Sequence, residues 1–540
     1  MFKQSSSHVP GSCTGTGRFS MYEKRFSAVA IPLLMASLAV MLLLPASLVV
    51  GQVSEELPWF GVVASPGFDP SVPPVILGSD YGPRPAIVPS GEERFTSLEG
   101  ATILQDLESI VGFSTASRET QEIGSGQLWG RISGLPSGER SMDWAERRLR
   151  EVGVPSVQRQ WFDQTPGASL WLPLSWEVRL HGAEAFGAGS RDVILESAMP
   201  TGGTVLPPEG LTAPLVFVGT ARPAELEYID VRGKIAVQHI TPKGHLFLER
   251  RPARAKVQEL FRRGAVAVFN IVDQAGNMRM RDISNCGGPC FNLGGEDGRF
   301  LEGVMDAAAD SGVSNQLRGT LNLQAEERSG LRASNIVGIV PGRSEENIII
   351  NAHIDGWFDG ANDNADGFAV MLALAAHFSK PQNLPDKTLL FVASAGHHTR
   401  GLNGPDQLVA QNPELMSRNM FAINLEHVAA RQINPARTDS NGLRDIITDS
   451  GEGFLMNGLS QRSARLEAII RAGGQRYGLN FVSAASTYGA GDNPDVDAPL
   501  LQLIQGNPFY HTTGDMLETI STAGLERVAR FVAYFVKELD

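Results

Sequence analysis

Four apolar segments in the second half of the chain each lead directly into polar, chemically reactive residues. The segments are Asn347–Ile354, Thr388–Ala395, Met420–Leu425 and Leu500–Gln505. Their composition is typical of buried strands, and helical patterns such as Phe368–Phe378 lie between them. Such alternation predicts an α/β fold whose mixed, mostly parallel sheet is flanked by helices. The carboxyl ends of these strands should therefore meet at one edge of the sheet.

The residues expected at that edge are those that bind metals or transfer protons. They are His353, Asp355 and Asp363 in HIDGWFDGANDN, His397 and His398 in AGHHTRG, Glu426 in FAINLEH, and Tyr510 and His511 in NPFYHTTGD. Alternation along a strand places His353 and Asp355 on one face, where the carboxylate can orient the imidazole. Each residue alone has an ordinary explanation, such as an Asx turn for Asp363. Their convergence at a ligand-binding edge favours a metal site, and imidazole and carboxylate ligands suit Zn²⁺.

The chain of 540 residues is long enough for several domains. We divide it into 1–52, an export segment; 53–100, a loosely structured lead-in; 101–194, the first part of the main domain; 195–330, a smaller β-rich lobe; and 331–540, the metal-binding part. Local patterns predict helices over Ser141–Val152, Ala253–Arg263 and about Leu517–Glu538, and a strand over Leu170–Leu180.

The N-terminus carries a targeting pattern. Arg18, Lys24 and Arg25 precede the apolar run Ala28–Val50, which is typical either of a signal peptide removed near Gly51 or of a retained membrane anchor. Met21 is an alternative start, because it would leave a basic region of conventional length. We expect an exported protein, extracellular or periplasmic, that contacts a membrane only through this segment if it is retained.

The cysteines and the net charge further restrict the kinds of protein and partner that the sequence fits. Cys286 and Cys290 in CGGPC predict a short-loop disulfide in an exported chain, whereas a zinc site there would lack further ligands nearby. The formal net charge is -13, and there is no long basic run. Nucleic acid is therefore not an expected partner, because phosphate binding needs a basic surface.

The motifs NAHIDGWFDGANDNADG, FVASAGHHTRGLNG, FAINLEH and NPFYHTTGD occur in this order and spacing. With them the chain, over about 101–540, resembles the aminopeptidase-type co-catalytic zinc metallopeptidases, which include secreted bacterial aminopeptidases and the glutamate carboxypeptidases. The resemblance implies a zinc-exopeptidase fold, and 195–330 resembles the protease-associated (PA) insert of many members. Peptides or proteins are then the expected substrates.

The resemblance also implies roles for individual residues. His353 and Glu426 would hold one zinc, His511 would help to hold a second, and Asp363 would bridge the two. Asp355 would orient His353. Tyr510 matches a tyrosine that, in this family, can hydrogen-bond the tetrahedral intermediate.

The chain departs from the family where two consecutive glutamates usually follow the third strand, because it has His397 and His398 there. Imidazole is a good zinc ligand, so His398 can replace the ligand glutamate, but the lost negative charge should weaken the second metal. His397 stands in the place of the general base. Three functions stay open: a zinc exopeptidase of aminopeptidase type, a binding protein with a weak or silent site, and a single-zinc acyl transferase like the glutaminyl cyclases.

Overall fold

The computed structural model describes residues 57–539 except 66, 71, 73–75, 78–82, 243–249, 284–287, 438–444, 452 and 484–491. The helices are α1 (Gly100–Glu119), α2 (Pro136–Glu151), α3 (Pro223–Leu226), α4 (Arg250–Arg262), α5 (Gly295–Asp310), α6 (Asp366–Phe378), α7 (Gly404–Gln411), α8 (Pro413–Met416), α9 (Ala464–Tyr477) and α10 (Thr522–Leu539). The strands are β1 (Ile76–Leu77), β2 (Gly130–Arg131), β3 (Ser156–Asp163), β4 (Leu170–Leu180), β5 (Val193–Ile194), β6 (Met199–Pro200), β7 (Leu211–Phe217), β8 (Ile235–Ile240), β9 (Ala267–Val272), β10 (Cys290–Leu293), β11 (Arg318–Arg328), β12 (Arg332–Val340), β13 (Ser344–His353), β14 (Gly356–Trp357), β15 (Lys387–Ser394), β16 (Asn419–Glu426), β17 (Gln432–Arg437), β18 (Asp445–Gly451), β19 (Leu455–Leu459), β20 (Phe481–Ser483) and β21 (Leu500–Gln505).

The main sheet is mixed, and its centre is parallel. Its eight strands run in the order β20-β19-β21-β16-β13-β15-β12-β3. The neighbours β15, β13, β16 and β21 are parallel, whereas β12, β3 and β19 pair antiparallel. The predicted mixed, mostly parallel sheet flanked by helices is confirmed, and the four parallel strands are the four apolar segments identified in the sequence.

Helices cover both faces of this sheet. On one face α1, α6 and α10 pack together, and α6 is buried over nearly its whole length. On the other face Leu408 of α7 packs against Ile349 and Leu390 of the sheet. Burying a side chain such as Phe535 of α10 stabilises the fold by roughly 2 kcal/mol. The centre of the sheet is thus held rigidly on both sides, which fixes the positions of the strand ends.

A second eight-stranded sheet lies within residues 170–328, in the order β5-β4-β11-β7-β8-β9-β10-β6. Its strand β4 pairs along its whole length with β11. The boundary predicted at residue 195 is therefore too late, because β4 and β5 belong to the second lobe rather than to the main domain. The alternation of apolar and polar residues along a strand does not reveal which sheet the strand joins. The assignment of this lobe to the protease-associated type stays a prediction.

Two predicted helices begin earlier in the structure. The helix predicted from Ser141 begins at Pro136, where proline is favoured in the first turn because its missing N–H costs nothing there. The helix predicted from Ala253 begins at Arg250. The final helix is shorter than predicted, because a separate 3-10 turn occupies Leu517–Thr519 before α10.

Several predictions concern residues that the structure does not describe. The export segment, including Met21, lies outside the described residues, as does Cys286. Cys290 is buried, and its Sγ accepts a hydrogen bond from Asn270 Nδ2 at 3.3 Å, so the predicted disulfide stays a prediction. Among the described residues no helix is both long and apolar enough to span a membrane.

Candidate metal centre

The carboxyl ends of the four parallel strands bring the predicted site residues into one buried cluster. Its members are His353 at the end of β13, Asp355 and Asp363 in the loop before α6, His397 and His398 after β15, Glu426 at the end of β16, and Tyr510 and His511 after β21. All eight predicted residues lie in this cluster. They meet at this edge because parallel strands deliver successive loops to one side of the sheet.

Asp363 lies at the centre, and its two carboxylate oxygens face different groups. Oδ1 lies 3.6 Å from His353 Nε2 and 3.1 Å from His427 Nε2. Oδ2 lies 3.2 Å from His398 Nε2 and 2.9 Å from His511 Nε2. One carboxylate therefore connects two adjacent donor groups, as a bridging ligand does.

The first donor group contains His353, Glu426, His427 and Asp363 Oδ1, all within coordination reach of one another. His353 Nε2 lies 3.0 Å from Glu426 Oε1, and its Nδ1 lies 3.0 Å from the carbonyl oxygen of Asp355 and 3.4 Å from Asp355 Oδ1. Burial alone would lower the pKa of His353, but the carboxylates of Glu426 and Asp355 outweigh it and hold that pKa well above its usual range. The pKa of Glu426 falls to about 2, because the nearby histidines overcome the effect of burial.

The second donor group contains Asp363 Oδ2, His398 and His511. The Nε2 atoms of the two histidines are 3.0 Å apart. Burial opposes protonation of His398, but Asp363 and Asp355 raise its pKa to about 9.

His397 is separated from the second group and is 22% exposed. Its ring stacks on that of His353, with centroids 4.3 Å apart, and its Nδ1 lies 3.1 Å from Asp492 Oδ1. Its Nε2 is 4.0 Å from Glu426 Oε1. The structure therefore places His397 at the rim of the cluster, with one ring nitrogen held by a carboxylate.

Tyr510 stacks on His511, with ring centroids 3.8 Å apart and planes 17° apart. Burial raises the pKa of the Tyr510 hydroxyl well above its usual range, and the Asp363 charge adds to the effect. The phenol therefore stays protonated and able to donate a hydrogen bond.

Buried hydrogen bonds fix the loop that carries Asp363. Asp515 accepts from the backbone N–H groups of Asn362 and Asp363, at 2.9 and 3.0 Å. Asn364 Nδ2 donates to Leu425 O at 2.9 Å, and Asn364 Oδ1 accepts from the N–H of His427 at 3.0 Å. Asn364 therefore joins the loop to the end of β16 through contacts distant in sequence. An isolated Asx turn would not do this.

Arg131 is fully buried and contacts the loop that carries Asp363. Its guanidinium donates to the carbonyls of Ile354, Asp359 and Gly360 and to Ser114 Oγ. Burial lowers the pKa of Arg131 to about 10, so the group is charged at neutral pH.

Left-handed backbone is concentrated here. His427, His511, Phe358 and Asp282 are non-glycine residues with φ of 48°, 55°, 55° and 61°. Such conformations cost on the order of 1–3 kcal/mol each, and folded proteins tolerate them mainly at functional sites.

Four contributors were not predicted from the sequence: Arg131, Asp282, His427 and Asp492. His427 directly follows Glu426 in FAINLEH, so its position was the available signal. Asp282 comes from the second lobe, and its Oδ2 lies 3.0 Å from His511 Nδ1. No pattern in the sequence indicates that contact, because the two residues are far apart along the chain.

The residues present fit a zinc centre. Asp363 Oδ1 and Asp355 Oδ1 are buried and accept no hydrogen bond from any described residue, although buried carboxylate oxygens normally find a donor. Oxygen and imidazole donors in this number are the set that Zn²⁺ prefers. The donor groups could hold one ion or two.

Residues 335–536 match the family model of peptidase family M28, which confirms the resemblance inferred from the motifs. A sequence search of curated proteins gives no match.

Three solved structures share the fold over most of the chain. BSAP, a zinc aminopeptidase from Bacillus subtilis, is 19% identical, with a TM-score of 0.53 over 80% of this chain and 95% of its own. An aminopeptidase from Aneurinibacillus sp. strain AM-1 is 19% identical, with a TM-score of 0.50 over 82% and 95%. A peptidase M28 precursor from Shewanella amazonensis SB2B is 18% identical, with a TM-score of 0.54 over 81% and 96%.

Proposed function

We propose that this protein is a zinc-dependent exopeptidase of aminopeptidase type, exported from the cytoplasm and acting on peptides. The single observation that carries the proposal is the division of the Asp363 carboxylate between two donor groups. The match to peptidase family M28 and the export pattern at the N-terminus support the same conclusion.

His353, Glu426 and Asp363 would hold one zinc, and His398, His511 and Asp363 the other. When bound, zinc supplies Lewis acidity, which polarises a carbonyl and makes water a better nucleophile near neutral pH. The second group has only one carboxylate, shared with the first, so we expect its ion to bind more weakly. Asp355 keeps His353 oriented and contacts His398 through the backbone N–H of that residue, 3.0 Å from Asp355 Oδ2.

His397 is the proposed general base. Asp492 at 3.1 Å favours the tautomer with the proton on Nδ1, which leaves Nε2 as the acceptor on the side facing the cluster. When His397 accepts a proton from water, Asp492 would stabilise the resulting imidazolium. The imidazolium could then return the proton to the leaving amine. In the family that the chain resembles, a single glutamate acts as the general base. Here His397 and Asp492 together would take that role.

Tyr510 is proposed to donate a hydrogen bond to the oxygen that gains negative charge as the carbonyl is attacked. Its raised pKa keeps the proton available, and its stacking on His511 holds the ring close to the second donor group. Loss of one such donor commonly costs about 10²–10³ in kcat.

The second candidate is a binding protein whose catalysis is weak or lost. The observation that favours it is the absence of a carboxylate at positions 397 and 398. A single-zinc acyl transfer is the third candidate, and peptides with N-terminal Gln separate it from hydrolysis, because cyclisation releases ammonia rather than an amino acid.

The test combines zinc content with activity. Elemental analysis of the purified protein should give one to two zinc ions per chain, and a panel of aminoacyl 4-nitroanilides should be cleaved in a chelator-sensitive way. His353→Ala and Glu426→Ala should abolish the cleavage and lower the zinc content by the ion of the first donor group. His377→Phe, which changes a buried histidine outside the site, is the matched control and should keep the wild-type zinc content.

Two results would contradict the proposal. One is wild-type protein free of zinc after growth and purification with added zinc. The other is cleavage that persists in Glu426→Ala. A zinc-loaded but silent wild type that gains activity through the double change His397→Glu and His398→Glu would instead support the binding-protein candidate.

A further inference from the structure

A short antiparallel ribbon joins the second lobe to the loop of the main domain that follows β21. This cross-lobe ribbon consists of residues 279–282 and 511–513. The backbone N–H of Arg281 donates to the carbonyl of His511 at 2.9 Å. Two further pairings continue the ribbon: Arg279 with Thr513, and Met280 with Thr512. The backbone of a proposed zinc ligand is therefore held from outside the main domain.

Asp282 ends the second lobe's side of the ribbon, and its side chain contacts the imidazole of His511. Asp282 Oδ2 lies 3.0 Å from His511 Nδ1. The other ring nitrogen, Nε2, faces the second donor group, 2.9 Å from Asp363 Oδ2 and 3.0 Å from His398 Nε2. A carboxylate on Nδ1 holds a proton there and leaves Nε2 as the ligand atom. Asp282 therefore fixes both the tautomer and the direction of this imidazole.

The two donor groups differ in where this support comes from. In the first group, Asp355 contacts His353 from a position two residues further along the same loop. In the second group, the carboxylate of Asp282 comes from a different sheet and is 229 residues away from His511 in the chain. Such a contact exists only while the second lobe is docked on the main domain.

Buried amides connect the ribbon to the sheet of the second lobe. Asn292 Nδ2 donates to the carbonyl of Met280 at 2.8 Å, and Asn270 Nδ2 donates to Asn292 Oδ1 at 2.9 Å. Gln238 Nε2 extends the chain of bonds by donating to Asn270 Oδ1 at 2.7 Å. The three amides have no exposure to solvent and stand on the neighbouring strands β8, β9 and β10. Because a connected polar network in a low-dielectric interior resists displacement, the position of Asp282 follows that of the lobe.

We propose that Asp282 is a positioning residue for the second zinc, so that the second lobe completes the second donor group. The inference rests on the proposed function for the identity of the ion. Since His511 is held in its ligand orientation only in the docked arrangement, binding of this ion and docking of the lobe stabilise each other. The first donor group contains no residue of the second lobe, so its affinity for zinc should not depend on Asp282.

The first measurement is the zinc affinity of the metal-depleted full chain, titrated against a chelator so that a tighter and a weaker ion are resolved. Asp282→Ala should weaken binding of the weaker ion about 10- to 100-fold and leave the tighter ion within about 2-fold of wild type. Asp282→Asn keeps an oxygen that can accept from His511 Nδ1 but loses the charge, so its effect should be smaller.

Asp297→Asn is the matched control, because it also changes a buried carboxylate of the second lobe. Asp297 is 2% exposed, and its Oδ2 accepts from the N–H and the hydroxyl of Ser197. We expect both zinc affinities to keep their wild-type values in this variant. A weaker ion lost equally in Asp297→Asn would assign the effect to stability of the lobe and overturn the positioning role.

The second measurement tests the linkage by hydrogen–deuterium exchange. The bond from the Arg281 N–H to His511 protects that amide, so peptides that cover 279–282 report opening of the ribbon. The second equivalent of zinc should slow this exchange about 5- to 100-fold, whereas the first should not. In Asp282→Ala the second equivalent should slow it much less, although the backbone bonds of the ribbon are retained.

Each outcome decides between this inference and the proposed function. Two resolved zinc ions with the same affinities in Asp282→Ala overturn the positioning role and leave the exopeptidase intact. A single resolved ion, or exchange at 279–282 that does not respond to the second equivalent, also overturns it. Dependence of the weaker ion on Asp282, without cleavage of any reporter, supports the inference and removes the exopeptidase. If Asp282→Ala does not fold, Asp282→Asn is judged by the same comparisons.

Discussion

Arg131 offers the sharpest test of how the metal-binding loop is held. Its guanidinium supplies hydrogen bonds to three loop carbonyls from a position with no exposure to solvent. Arg131→Met keeps most of the apolar volume but leaves those carbonyls buried without their donor. Each such loss costs about 1–3 kcal/mol. Removing the desolvated charge offsets part of this cost, whereas losing its attraction to Asp363 and Asp355 adds to it, so we expect a net loss of about 3 kcal/mol in the free energy of unfolding.

The measurement is urea unfolding of the metal-depleted protein, followed by zinc affinity from chelator competition. Arg131→Lys is the matched control for charge. It keeps the positive charge beside Asp363 but cannot reach three carbonyls at once, so we expect it to recover less than half of the lost stability. Zinc affinity should fall in both variants, because the loop no longer holds Asp363 in place. Full recovery by lysine, or a loss under about 1 kcal/mol in Arg131→Met, would refute this reasoning.

Three further predictions concern the site and one buried histidine. Asp492→Asn should lower kcat about 10-fold or more, since it releases the His397 ring from its partner; an unchanged kcat would show that Asp492 does not position the base. His427→Ala should weaken the tighter zinc about 10- to 100-fold in chelator competition, and equal affinity would exclude it as a ligand. Burial lowers the pKa of His377 to about 3 in the folded protein, against about 6.5 unfolded, so its contribution is present above pH 6.5 and is lost as the pH falls toward 3. Between pH 7.5 and 4.5 wild type should therefore lose about 3 kcal/mol more unfolding free energy than His377→Phe in urea titrations, and equal losses would contradict this assignment.

Much of the site was predictable from sequence because its ligands stand at the ends of strands. A buried parallel strand has a continuous apolar pattern, so its end is visible, and the rules of α/β sheets place such ends together. This reasoning located His353, Glu426 and His511 and the loop of Asp363.

The tertiary structure decided what depends on contacts between distant segments. Arg131 donates to carbonyls more than 200 residues away, and Asp282 reaches His511 from another lobe. Strand β4 has the pattern of any half-buried strand, yet it pairs with β11 in the second sheet. The hydrophobic periodicity of a helix or strand shows which of its faces is buried, but it does not show which other segment of the chain covers that face. The sequence by itself therefore determined which residue types meet at the edge of the sheet, whereas packing alone decided the residues that support the site and the boundary of the second lobe.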